Sequence, residues 1–215
     1  MRNARIRLIA EMGLAVALAV GLNAIFTLAF PVRMPFGGSF SLIMVPIVLM
    51  ALMRGPWVGI AVGVLVGFSD LMFDPFVVSI PQMLLDYPIA YGLVGLAGIF
   101  TLRTPATGTD ATAAATASTS TTATTKAGLQ RLMVYAALGT IVGGLARLAA
   151  HVLSGVIFFG QYAPALQNVW VYSLVYNLTF MGPNIVAVAI CATMAYPLVR
   201  RVVMQTEATQ PSSCA

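Results

Sequence analysis

Five ionisable side chains stand within the apolar runs of this 215-residue chain: Glu11, Asp70, Asp86, Arg147 and His151. A charged group in such a run costs roughly 2.5–3.5 kcal/mol to insert into a membrane, so each needs a partner or a ligand. Arg147 and His151 are four residues apart and share one helix face, which Gly155, Phe158 and Phe159 continue toward the helix end. His151 is the chain's one histidine. A turn through Tyr162 and Pro164 leads to Trp170, Tyr172, Tyr176 and Asn177 at the start of the next apolar segment. These residue types describe an aromatic-walled binding site with a few polar tips.

Asp86 lies in QMLLDYPIAYG, where Pro81 and Pro88 remove backbone donors and mark a bend or cavity in a membrane helix, with Tyr87 adjoining. Arg147 has two candidate counter-charges, Asp70 and Asp86. A buried ion pair that fixes helix packing and a carboxylate reserved for a ligand are therefore both open. Tyr172 and Asn177 are five apart, about 140° around a regular helix, so one ligand reaches both only if wedged between them. His151 reads equally as a packed side chain or a ligand contact, and Trp170 as an interfacial anchor.

The elements that position these groups are membrane helices. With 60% apolar and 8% charged residues, the chain has more apolar surface than a soluble domain of this length hides. The expected fold is all-α and integral to the membrane, with six spans near 6–30, 39–53, 56–73, 76–102, 129–159 and 169–199. The first run is too long for a signal peptide, and the second is short enough to be tilted or broken. Arg2, Arg5, Arg7, Arg54, Arg103, Lys126, Arg131, Arg200 and Arg201 all fall on one side if both termini are cytoplasmic. On that topology Asp70, Asp86, His151 and Asn177 converge in the outer half of the membrane, while Glu11 lies near the inner surface.

The expected organisation is one membrane domain: spans one to four over 1–103, a flexible Thr/Ala-rich cytoplasmic linker over 104–128, spans five and six over 129–205, and a tail over 206–215. Gly59, Gly63 and Gly67, then Gly139 and Gly143, recur at a spacing that lets helices approach closely. Ala15 and Ala19 have the same spacing and suit either internal packing or a docking face for another membrane subunit.

Several functions are excluded or disfavoured. The basic residues are scattered singly, unlike a nucleic-acid footprint. Cys191 and Cys214 form no disulfide framework or metal-ligand spacing. There is no GxxxxGK[ST], HExxH or GxSxG motif, so neither a phosphate loop nor a common hydrolytic centre is present, and no cofactor is expected. A membrane enzyme using Asp86 and His151 as acid and base, and a purely structural subunit, remain as alternatives.

The runs MPFGGSFSLIMVPIVLMALMRGP, QMLLDYPIAYGLVGLAG, HVLSGVIFFGQYAP and VYSLVYN together resemble the thiamine-binding S components (ThiT or YuaJ family) of energy-coupling factor vitamin importers. The resemblance covers every expected helix and omits the Thr/Ala linker and the tail. It implies a six-helix, non-enzymatic capture subunit in the cell membrane that takes thiamine from outside. A transmembrane coupling subunit, docked through Ala15 and Ala19, and two ATPase subunits would drive delivery. By motif, the implied thiamine contacts are Phe36, Asp86, Tyr87, His151, Phe159, Tyr172 and Asn177. The family usually has Glu at the position of Asp86 and often Trp at those of Phe36 and Phe159. A thiamine precursor or another small vitamin is thus the alternative ligand.

Overall fold

The computed structural model describes residues 2–29, 34–35, 38–73, 75–103 and 126–209, and these form an all-helical bundle. In chain order the helices are α1 (Arg2–Ala29), α2 (Met44–Arg54), α3 (Pro56–Asp70), α4 (Ile80–Leu84), α5 (Ala90–Val94), α6 (Lys126–Phe158) and α7 (Val169–Thr209). A π-helical turn, Leu85–Ile89, joins α4 to α5, and a 3₁₀ stretch, Gly95–Arg103, continues α5. These four pieces follow one another without a break and make the fourth of six helical segments. Phe36 and residues 104–125 of the expected linker lie outside the described residues.

Four segments are long and apolar enough to cross a membrane, at 4–29, 80–100, 128–158 and 169–205. The protein is a multi-pass membrane protein. The second and third segments have 11 and 15 residues, on the order of 16 and 22 Å, shorter than a hydrocarbon core of about 30 Å. The expected second span began at Ser39, but helix starts only at Met44; residues 39–42 lack regular helix, and Ser39 and Ser41 border the cavity described below. The fourth begins at Ile80 rather than Phe76, because the Ser79 hydroxyl accepts the Gln82 N–H and caps it there. Pro81 accordingly occupies the first turn of α4, where a missing N–H costs nothing, and does not interrupt a helix. The last two helices outrun their expected bounds, beginning at Lys126 and ending at Thr209.

The bundle is built around α2. Met44, Ile47, Val48, Ala51 and Leu52 are almost wholly buried, because this helix is apolar on every side and touches α1, α3, α6, α7 and the 3₁₀ stretch. Glycine sets the spacing of α3 against the fourth segment. A Cβ on Gly63 would overlap the Tyr91 carbonyl, and one on Gly67 the Tyr87 carbonyl. That seam positions Asp70 on α3 beside Tyr91. The long pair α6 and α7 encloses the other side.

Helix α1 is the least enclosed, with Leu14, Leu18 and Leu28 more than half exposed. Its inward face carries Ala15 and Ala19, at 7% and 0% exposure, inside the chain's own core. Small residues there bring α1 against α2 and α3. Near the start of α1, Glu11 receives two hydrogen bonds from Arg54, at 2.8 Å each, and one from Arg7 at 2.9 Å. This bidentate cluster ties α1 to the end of α2 and neutralises the first of the five buried charges.

Candidate functional site

Proline shapes the element that carries Asp86. Pro88 has no N–H and its ring crowds the carbonyl four residues earlier, and the chain around it takes the wider π turn, Leu85–Ile89. Within this turn Asp86 points toward α6. Its Oδ1 lies 3.1 Å from His151 Nδ1, and its Oδ2 accepts from Gln82 Nε2 at 2.7 Å and Ser154 Oγ at 2.8 Å. Gln82 is 1% exposed and otherwise bonded to the backbone of Phe76 and Val78, so it is a fixed donor. Three polar side chains thus converge on one carboxyl group.

A second, partly buried acidic side chain lies nearby. Asp70 accepts from Asn23 Nδ2 of α1 and from the Tyr91 hydroxyl, both at 2.7 Å. The Arg147 guanidinium stacks on the Tyr91 ring, 3.8 Å from its centre, and its Nε donates to His151 Nε2 at 3.3 Å. The question of which acid serves Arg147 resolves into a relay: Asp70, Tyr91, Arg147, His151 and Asp86 follow one another in contact, linking α3, the fourth segment and α6.

These groups line one cavity, with about 90 Å³ open to the centres of water molecules, several times what a single water needs. Asp86, Tyr87, His151, Phe159, Tyr172 and Asn177 all border it, as do Asp70 and Arg147. Tyr172 and Asn177 both reach it because α7 presents a broad face, with Ser173, Tyr176 and Phe180 completing the lining between and below them. Seven Phe and Tyr rings share the walls with polar and charged side chains. Phe159 packs on Phe76 at 5.9 Å and stacks on Tyr162 at 6.4 Å, while His151 meets Phe180 edge-on at 6.0 Å. Asn177 Nδ2 donates to the Ser173 carbonyl at 2.9 Å and reaches the His151 carbonyl at 3.3 Å, clamping α7 to α6 at the cavity's edge. Trp170, expected as an interfacial anchor, is 56% exposed and does not line the cavity.

The family model described as "Thiamine transporter protein (Thia_YuaJ)" matches residues 9–203, which include every cavity-lining residue and every segment that builds the site. The chain belongs to this thiamine transporter family. A curated member, the thiamine transporter ThiT of Bacillus subtilis, is 32% identical over 208 residues, 94% of this chain and 96% of that protein. ThiT of Lacticaseibacillus paracasei is 31% identical over 140 residues, 62% of this chain and 61% of its own. In three dimensions the chain is similar to ThiT from Listeria monocytogenes, with a TM-score of 0.69 over 91% of this chain and 96% of that one, at 22% identity. That likeness shows the family's fold.

Sequence reasoning did not single out Gln82, Ser154, Ser41, Phe76 or Asn184, although all border the cavity. Gln82 stands four residues before Asp86 and Ser154 three after His151, so helical spacing from the two charged residues was the available signal. Asn184 left a weaker one, a lone amide one residue after Pro183 in an apolar run. It clamps the non-helical stretch before α2, donating to the Ser39 carbonyl and accepting from the Ser41 N–H, both at 2.9 Å.

Proposed function

We propose that this chain is the substrate-capture subunit of an energy-coupling-factor importer, binding thiamine from outside the cell in the cavity between the fourth segment, α6 and α7. The observation that carries the reading is the setting of Asp86: a carboxyl group held by Gln82, His151 and Ser154 at the edge of a cavity bordered by aromatic rings. Thiamine has an aminopyrimidine whose N–H groups suit such an acceptor and a cationic thiazolium that suits aromatic faces. Each cation-π contact supplies roughly 0.5–2 kcal/mol, so tight capture requires several together in a desolvated site. Asp86, Tyr87, His151, Phe159, Tyr172 and Asn177 are the proposed contacts, with Phe36 as a seventh. The description of the curated relatives as thiamine transporters supports the same ligand.

Asp is one methylene shorter than the Glu usual in the family, and Gln82 and Ser154 hold its carboxylate in place. Both termini are proposed to be cytoplasmic. The clustering of Arg7 with Arg54 through Glu11 supports this, because it brings two of the nine one-sided basic residues together. Energy for delivery is assigned to a coupling subunit and its two ATPases, none of which is part of this chain.

The test is thiamine binding to the purified, ligand-stripped chain in detergent, followed by quenching of aromatic fluorescence with riboflavin and biotin as competitors. Saturable, selective quenching without ATP is expected. Folded protein that ignores thiamine but responds to a precursor or another vitamin would replace the ligand and keep the capture role.

A further inference from the structure

Gln82 has every hydrogen-bonding group of its side chain in use. It is 1% exposed, so its amide must be satisfied from within the chain. Nε2 donates to Asp86 Oδ2 at 2.7 Å and to the Phe76 carbonyl at 3.1 Å, and Oε1 accepts from the Val78 N–H at 3.0 Å. The two backbone partners fix which way the amide faces. Turned over, it would set its oxygen against the Phe76 carbonyl and its N–H groups against the Val78 N–H. The N–H that meets Asp86 is therefore placed by residues 76 and 78, whatever the protonation of Asp86. We infer that Gln82 is a positioning residue whose one amide joins Asp86 to the wall formed by Phe76, and so aims the Asp86 carboxyl at the aminopyrimidine end of the ligand.

The stretch between α3 and α4 is not helical at residues 75–79, yet it is tied down. Both backbone groups of Phe76 are held by the fourth segment: its N–H donates to the Tyr87 hydroxyl at 2.8 Å, and its carbonyl accepts from Gln82. The Phe76 ring meets Phe159, with 5.9 Å between centres. This wall is thus mounted on the same segment as Asp86. Gln82 is itself set by the Ser79 hydroxyl, which accepts its N–H at 3.3 Å. Of the three partners of Asp86, His151 and Ser154 approach from α6, and Gln82 is the one that also holds the Phe76 stretch. A carboxyl group fixed before the ligand arrives loses less freedom on binding, which raises both affinity and discrimination.

The wild type gives a first test that needs no variant. In hydrogen exchange on the purified, ligand-free full chain in detergent, the Phe76 and Val78 amides should be protected although no helix contains them. Exchange as fast as that of an open peptide overturns the inference. Gln82→Met keeps the length of the side chain and none of its polar groups. In this variant Val78 should exchange at least about tenfold faster, while the amides of α2 stay as in the wild type. Unchanged exchange at Val78 in the folded variant also overturns it.

The aim of Asp86 rests on the proposed thiamine reading and has its own readout. It compares thiamine with its 4-oxo analogue, in which a carbonyl replaces the amino group offered to Asp86. The wild type should prefer thiamine by at least about tenfold, and equal affinity overturns the inference. In Gln82→Met the preference should shrink about two- to tenfold, the contribution of one hydrogen bond. A substitution that only loosened the fold would weaken both ligands alike, so an unchanged ratio removes the positioning role. A wider ratio removes it as well, because Gln82 would then compete with the ligand for Asp86. Gln82→Asn, the same amide one methylene shorter, is the second variant and should shift the ratio in the same direction. Failure of both variants to fold makes Gln82 a packing residue and overturns the inference. Folded wild type that binds neither compound refutes thiamine as the ligand, while exchange at Val78 still decides whether Gln82 holds the wall.

Discussion

Asp86 and His151 differ from the other buried charges in what surrounds them. Glu11 is bracketed by two arginines, which accounts for it structurally, whereas Asp86 is held by Gln82, His151 and Ser154 at the wall of a cavity. Asp86→Ala removes the one acceptor that those donors share. A hydrogen bond to a charged group is worth about 1.5–3 kcal/mol net, so this variant should raise the thiamine Kd roughly 10- to 150-fold in fluorescence titration. His151→Ala should weaken binding in the same direction by freeing Asp86 Oδ1. Circular dichroism should stay near that of the wild type in both. Variants that lose helicity along with binding would return the two residues to a packing role. The charged members of the site were legible because an ionisable side chain in an apolar run demands a reason. Gln82 and Ser154 were not, because a neutral polar residue in a membrane helix carries no such flag and its value here comes from the π turn that aims Asp86 at it.

At the scale of elements, period and length gave the helices, and local chemistry decided their ends. Six apolar runs were visible, but the Ser79 cap moved the start of the fourth segment, and residues 39–42 stayed out of α2, with Ser39 and Ser41 bordering the cavity. Gly38, with φ of 103°, precedes this stretch, and a side chain there would strike the Phe180 ring. The glycine ladder of α3 was legible from its spacing, and its partner turned out to be the backbone around Tyr87, Tyr91 and Gly95. Ala15 and Ala19 share that spacing and are buried against the chain's own core. The seam yields a test. Gly63→Ala forces a methyl into the Tyr91 carbonyl, so α3 must move away from the segment that bears Tyr91 and Asp86. Overpacking of this kind costs about 1–3 kcal/mol, and the thermal midpoint in detergent should fall. Thiamine affinity should fall with it, because the Asp70–Tyr91 bond crosses the same seam. An unchanged midpoint would mean that the helices separate there without cost.

The whole molecule combines a polar relay reaching from Asn23 on α1 to Asp86 with an outer surface of exposed Leu, Ile and Val. That surface suits lipid, and the relay satisfies its buried charges from within the chain. Under the proposed function, capture and delivery separate physically. Binding needs only the cavity that this chain builds, but moving a bound cation across the bilayer against its gradient requires work. The sequence has no phosphate-cradling loop with which to draw that work from ATP. The purified chain reconstituted alone in sealed vesicles should therefore bind about one thiamine per molecule and accumulate none, whether ATP is inside, outside or absent. Adding a coupling subunit and its ATPases should produce uptake that depends on ATP on the cytoplasmic face, with the binding stoichiometry unchanged. Accumulation by the solitary chain in response to an ion gradient would overturn the division of labour, because the coupling energy would then enter through the subunit that holds Asp86 and His151. Reading ATP-independent accumulation against thiamine retained by a folded but cavity-disabled Asp86→Ala chain separates transport from simple association with the membrane.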